Sequence, residues 1–180
     1  MKKAIIFTFA LMFVVGSANA VTMVAHSSNQ GINAGASFWG ASGTEIWVDE
    51  IWDADGMGVI EINDLEDGLD YTFTKYITNN TGNDWNRFAM ELLDPGLDGS
   101  DLDPQPGWIP AGYSTSSEYD GLSFAQGSGL PRTSTAFASR VDDELALRDY
   151  MDFYDGLVSG AGGVDTIVFG LRDFDPAGNQ

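Results

Sequence analysis

Oxygen-bearing residues recur in the segment 53–64 at a spacing that lets one loop surround a calcium ion. Asp53 and Asp55 stand two residues apart, and Glu61 and Asp64 follow. The backbone carbonyl of Val59 would supply a further oxygen between them. Calcium is a hard cation that takes six to eight oxygen ligands. The pattern therefore suggests calcium as a cofactor, held by Asp53, Asp55, Val59, Glu61 and Asp64.

The same segment resembles the twelve-residue calcium loop of EF-hand and dockerin modules, with two departures. Gly58 matches the sharp turn at the sixth position, and Ile60 matches the apolar eighth position. Met57, however, stands where an oxygen ligand is expected, and Asp64 is shorter than the usual bidentate Glu. The flanking residues favour strands over helices. The alternative is an acidic β-hairpin turn that binds no ion.

A long irregular segment, 94–119, offers a second place for binding. It holds several Pro and Gly residues, together with Trp108 and a group of aspartates. Segments of this length without regular structure are often functional. Trp108 offers a flat apolar face to a sugar, so we take it as the candidate ligand contact. The alternative for most of the tryptophans is burial in the core, because aromatic side chains dominate core packing.

Composition limits the chemistry that the chain can perform. There is no cysteine and only one histidine, His26. Thiolate chemistry and histidine-rich metal sites are therefore excluded. Pairs of carboxylates suited to glycoside hydrolysis stay open, but among 27 acidic residues such pairs arise by chance. Such pairs therefore carry little weight as evidence for an enzyme.

The first twenty residues have the layout of a bacterial secretory signal peptide. Lys2 and Lys3 precede an apolar run at 4–15, and Ala18-Asn19-Ala20 forms a small-x-small cleavage site. The run is shorter than the about 20 residues that span a membrane. We expect cleavage before Val21 and a secreted or cell-surface location, with no transmembrane segment in the mature chain. Six basic residues then face 27 acidic ones, which makes nucleic acid an improbable partner.

Short runs of aromatic and β-branched residues, separated by Gly, Asn and Asp, predict an all-β fold. In the run 44–52, Ile46, Val48 and Glu50 alternate with the residues between them. Residues 144–154 also show helical spacing, so a helical turn there is the alternative. We predict a flexible segment at 21–36 and one antiparallel β-sandwich, Ig-like or jelly-roll-like, at 37–180. The strands are expected at 44–52, 59–63, 70–78, 85–93, 121–124, 134–139, 148–157 and 164–171.

Two stretches resemble secreted bacterial β-sandwich proteins of the PEP-CTERM type. The first is Tyr76-Ile77-Thr78-Asn79-Asn80-Thr81-Gly82-Asn83-Asp84-Trp85, and the second is the late pair of strands around 152–171. The resemblance implies an exported, non-catalytic protein of the cell surface or extracellular matrix. The Pro-Glu-Pro motif and sorting tail of that family do not occur in this chain.

The leading functional hypothesis is therefore an exported, non-enzymatic β-sandwich protein that acts at the cell surface or in the extracellular matrix. Its expected partners are polysaccharides or other matrix components. Two alternatives remain: a calcium-dependent carbohydrate-binding module, and a small secreted glycoside hydrolase that works through carboxylates.

Overall fold

The computed structural model describes residues 21–66, 68–95, 109, 113–115, 122–124, 129–143 and 149–173. The predicted signal peptide, 1–20, and the candidate ligand contact Trp108 lie outside the described residues, as does most of the segment 94–119.

The described part of the chain is all-β, as the sequence predicts, and contains no helix. Each predicted strand has a counterpart in the structure, with ends that differ by a few residues. The predicted strand 134–139 is divided in two by a turn at Thr135 and Ala136. The strands are β1 (Thr22–Ala25), β2 (Phe38–Ser42), β3 (Glu45–Trp52), β4 (Ile60–Asn63), β5 (Asp70–Asn79), β6 (Trp85–Glu91), β7 (Leu93–Pro95), β8 (Tyr113–Thr115), β9 (Leu122–Ser123), β10 (Thr133–Ser134), β11 (Phe137–Asp143), β12 (Tyr150–Val158) and β13 (Gly163–Asp173).

A larger sheet, a smaller sheet and two separate strand pairs make up the described structure. The larger sheet has the order β10-β13-β5-β3-β2, and β9 also pairs with β13. The smaller sheet has the order β11-β12-β6. The remaining strands form the pairs β1-β4 and β7-β8.

The expectation of a purely antiparallel fold is wrong at the centre of the larger sheet. β3 and β5 run parallel, from Glu45 opposite Thr72 to Trp52 opposite Asn79. The chain leaves the sheet after β3, forms β4 against β1, and returns to begin β5. A connection of a dozen or more residues is what a parallel pair requires.

The same excursion shows that the segment after β3 is not a hairpin turn. Both edges of β3 are occupied, by β2 on one side and β5 on the other, and β4 pairs with β1 instead. Residues 21–36, expected to be flexible, contain β1 and two buried side chains, Met23 and Ile32. In the 144–154 segment, the residues from Tyr150 onward belong to strand β12 rather than to a helix.

One apolar cluster receives side chains from both the larger and the smaller sheet. Along β3, alternate side chains from Ile46 to Trp52 are buried, which is the period of two expected for a strand with one covered face. β5 buries Tyr71, Phe73 and Ile77 in the same way. The smaller sheet contributes Phe88, Met151, Phe153 and other residues to this cluster.

The motif Asn79-Asn80-Thr81-Gly82 holds the end of β5 against the end of β12. Asn79 is fully buried, and its Nδ2 donates to the carbonyl oxygens of Val158, at 3.0 Å, and Asn83, at 2.9 Å. Its Oδ1 accepts from the amide and the hydroxyl of Thr81. The sequence Asn79-Asn80-Thr81 has the form of an N-glycosylation acceptor, but because the Asn79 side chain is enclosed, it has a structural role.

Replacing Asn79 by alanine should lower the free energy of unfolding by about 3 kcal/mol, because several buried polar groups lose their partners together. The neighbouring Asn80→Ala serves as a matched control, since the Asn80 side chain is exposed. We expect the control to change stability by less than about 0.5 kcal/mol. Urea unfolding measures both variants, and equal stabilities would contradict the role given to Asn79.

Candidate functional site

The residues of the predicted calcium loop occupy different parts of one excursion from the larger sheet. Asp53 and Asp55 are exposed just after β3, Glu61 lies within β4, and Asp64 follows β4. Among the described residues, which include all of these, no group of three or more acidic or histidine side chains is placed to hold a metal ion.

Each end of this segment has other hydrogen-bond partners in the structure. Asn33 Nδ2 donates to Asp53 Oδ2 at 2.5 Å, and Asn83 Nδ2 donates to Asp55 Oδ2. Asp64, which has a positive φ of 66°, accepts from Thr22 Oγ1 at 3.3 Å. The carbonyl oxygen of Val59 accepts from the amide of His26 at 3.0 Å. Calcium binding by the loop stays a prediction, and it would require these groups to exchange partners.

Gly58 has a packing role that the calcium motif does not need. A methyl group at this position would collide with the six-membered ring of Trp52, and a methyl group on Gly31 would collide with another edge of the same ring. Trp52 therefore packs against two glycines, and its relative exposure is 7%. The glycine that matches the sixth position of the motif is thus explained by contact with this side chain.

The structure contains a cavity of about 590 Å³ that is lined in part by Trp52. It is bounded by the larger sheet, the smaller sheet and β4. Cavities of this size hold small organic ligands in other proteins, and their walls are mostly apolar with a few polar groups. The walls of this cavity include Val48, Phe73, Phe88, Phe124 and Phe169.

A buried ion pair forms the polar part of the cavity wall. The Glu50 carboxylate is fully buried on the inner face of β3, and Lys75 Nζ lies 2.7 Å from its Oε1 atom. Trp52 Nε1 donates to Glu50 Oε2 at 3.1 Å. The indole satisfies Oε2, whereas Oε1 pairs with the ammonium by charge and makes no hydrogen bond of ordinary geometry.

The Lys75 side chain is only 15% exposed and extends through apolar surroundings. Its direct neighbours are Val48 on β3 and Ile167 on β13. The ammonium also lies 5.6 Å from the centre of the Phe88 ring, which is within the range of a cation–π interaction. Phe88 belongs to the smaller sheet, so this contact joins the two sheets across the cavity.

Tyr113 of β8 adds a hydroxyl group to the cavity wall. Burial, and secondly the negative charge of Glu61, raise the pKa of Tyr113 above its ordinary value. The phenol therefore stays protonated at neutral pH and can donate a hydrogen bond. Its ring meets the ring of His26 edge-on, with centroids 5.3 Å apart.

The outer face of the larger sheet carries a row of exposed aromatic side chains. Phe38, Trp47 and Tyr76 are 58%, 37% and 49% exposed. The Trp47 indole lies across Gly40 of the neighbouring strand, because any side chain on Gly40 would meet its ring. The sequence identified Trp108 as the candidate sugar contact, whereas among the described residues the exposed rings are these.

Glu50 and Lys75 were missed by the sequence interpretation, although the pattern contains a signal for both. Glu50 shares a strand face with Ile46, Val48 and Trp52, and Lys75 shares one with Phe73 and Ile77. One acidic and one basic residue, each in the middle of an apolar face, indicate a buried pair when the two strands are adjacent. The sequence did not show that these strands are adjacent.

A comparison of the chain with family models, curated proteins and solved structures finds no match. Within the residues that the structure describes, no helix is both long enough and apolar enough to span a membrane.

Removing Lys75 alone should leave the Glu50 carboxylate buried without an ion-pair partner. Losing one partner of a buried ion pair costs about 3–5 kcal/mol, so we expect a loss of that size for Lys75→Met. In the double variant Glu50→Gln/Lys75→Met, no charge is buried and the Gln side chain still accepts from Trp52. Urea unfolding should show the double variant to be more stable than Lys75→Met by at least about 2 kcal/mol. Equal stability of the two would contradict the pairing.

Proposed function

We propose that this chain is an exported, non-enzymatic β-sandwich protein that binds a small apolar ligand between its larger and smaller sheets. The observation that carries the proposal is the cavity of about 590 Å³ with the Glu50–Lys75 pair in its wall. A well-formed apolar pocket with a few convergent polar groups is the usual form of a ligand site.

Several features support the sandwich arrangement and the absence of catalysis within this proposal. The inner faces of the larger and the smaller sheet contribute to one buried cluster, as the two sheets do in two-layer β-proteins. Glu50 is held between Lys75 and Trp52, an arrangement that fits a structural or binding role. Export rests on the layout of residues 1–20, and action at the cell surface or in the matrix follows from the resemblance to PEP-CTERM-type proteins.

Polysaccharide binding is the second candidate, and the exposed aromatic row of Phe38, Trp47 and Tyr76 favours it. Flat rings on a sheet surface suit stacking against sugars, and calcium at the 53–64 loop would belong to this alternative. Retention on insoluble cellulose that is lost in Trp47→Ala, and kept when the cavity is filled, would support it.

Filling the cavity should abolish ligand binding without unfolding the protein. Val48 is buried on the inner face of β3 and lines the cavity, so Val48→Phe places a ring in the space. We expect the purified protein to bind the neutral fluorescent probe N-phenyl-1-naphthylamine. The affinity in Val48→Phe should fall at least tenfold, which corresponds to about 1.4 kcal/mol.

The matched control is Val164→Phe, which adds the same ring at a side chain that is 69% exposed on β13. Urea unfolding verifies that both variants are folded. The proposal is contradicted if the unmodified protein does not bind the probe, or if folded Val48→Phe binds it with unchanged affinity.

A further inference from the structure

The charges around the cavity restrict the chemistry of the ligand, on the premise that the cavity is a binding site as proposed above. We propose that it accepts a neutral amphipathic molecule, with an apolar body among the aromatic side chains and a hydrogen-bond acceptor that meets the Lys75 ammonium. Ketones, esters and alcohols of medium chain length belong to this class.

The apolar body is specified by the walls of the cavity. Phe73 and Phe169 stack at a centroid distance of 5.3 Å, and Phe124 meets Phe169 edge-on at 5.6 Å. These three rings line the cavity together with Phe88. A chain or ring without polar groups loses no hydrogen bonds when it leaves water for such surroundings.

The acceptor is specified by Lys75. An ammonium has three N–H donors, and among the described residues Glu50 is its one ion-pair partner. The Phe88 ring, 5.6 Å away, interacts with the charge without accepting a conventional hydrogen bond. A ligand oxygen in the cavity would therefore find a charged donor, which forms a stronger hydrogen bond than a neutral donor does.

The neutrality of the ligand follows from the balance of charge in the walls. Besides Lys75, the ionisable side chains that line the cavity include the carboxylates of Glu50 and Glu61. An anionic head group would place another negative charge beside these carboxylates, in a partly enclosed space where charges are less well solvated than in bulk water. A cationic head group at the same place would be repelled by Lys75. A neutral acceptor gains the hydrogen bond without either cost.

A series of ligands with the same chain tests this proposal: nonane, 2-nonanone, nonanoate and nonylammonium, each displacing N-phenyl-1-naphthylamine at neutral pH. We expect 2-nonanone to bind at least tenfold more tightly than nonanoate and nonylammonium. In Glu50→Gln/Lys75→Met, the affinity for 2-nonanone should fall about tenfold, and the affinity for nonane should stay the same.

A second measurement does not depend on the variant. The carbonyl stretch of 2-nonanone bound to the unmodified protein should lie at lower frequency than in hexane, because hydrogen bonding to an ammonium weakens the C=O bond. A stretch equal to that in hexane would overturn the contact with Lys75.

The outcomes separate this inference from the function on which it rests. If none of the four compounds binds, the cavity is not a ligand site and the proposed function fails. If nonane and 2-nonanone bind and respond equally to the double variant, the cavity binds ligands but Lys75 selects none. Tightest binding of nonanoate would show that Lys75 takes an anion. Tightest binding of nonylammonium would overturn the inference and identify Glu61 as the recognition group.

Discussion

The parallel register between β3 and β5 is the constraint on which the rest of the structure depends. It pairs Val48 with Lys75 and Glu50 with Ile77, so Glu50 and Lys75 become diagonal neighbours on one sheet face. Side chains in this relation are within reach of each other when one of them is long. A shift of one residue would turn one of the two charges to the opposite face and leave the other buried alone. The ion pair therefore favours this register over its neighbours.

Three of the buried carboxylates among the described residues, Glu50, Asp152 and Asp165, are stabilised in different ways. Asp165 accepts hydrogen bonds from the hydroxyl groups and amides of residues 134–136, where the chain turns between β10 and β11. Asp152 pairs with the Arg87 guanidinium, and the hydrogen bond and charge of Asp152 raise the pKa of that group. Glu50 pairs with a lysine beside the cavity. Asp165 fits a structural role, whereas Glu50 and Lys75 line the cavity that we propose as a ligand site.

The strands could be predicted from the sequence because they depend on local pattern. In 44–52 and 70–78, the alternation of apolar and polar residues places β3 and β5 to within one or two residues. The turn at Asn79-Asn80-Thr81-Gly82 could likewise be predicted, since asparagine and glycine favour such turns. The burial of Asn79 was not, because its partner Val158 lies far along the chain.

The parts that could not be predicted depend on contacts between distant segments. The excursion through β4 makes β3 and β5 parallel, and β4 pairs with β1, which lies in the segment expected to be flexible. Gly58 illustrates the difficulty at a single position. Its spacing matches a calcium loop, but in the structure its lack of a side chain admits the Trp52 ring. A motif of glycine and acidic residues has the same sequence whether it surrounds an ion or packs against an indole.

A mostly apolar space bounded by Val48 and Phe88 lies beside Lys75, between the two sheets. Crystals of the protein pressurised with xenon test it most directly, because xenon enters apolar cavities and scatters strongly. We expect a xenon atom in contact with Val48 and Phe88 in the unmodified protein, and its loss in Val48→Phe. Crystals that show no xenon there, with the side chains of the two sheets in contact where the cavity should lie, would contradict it.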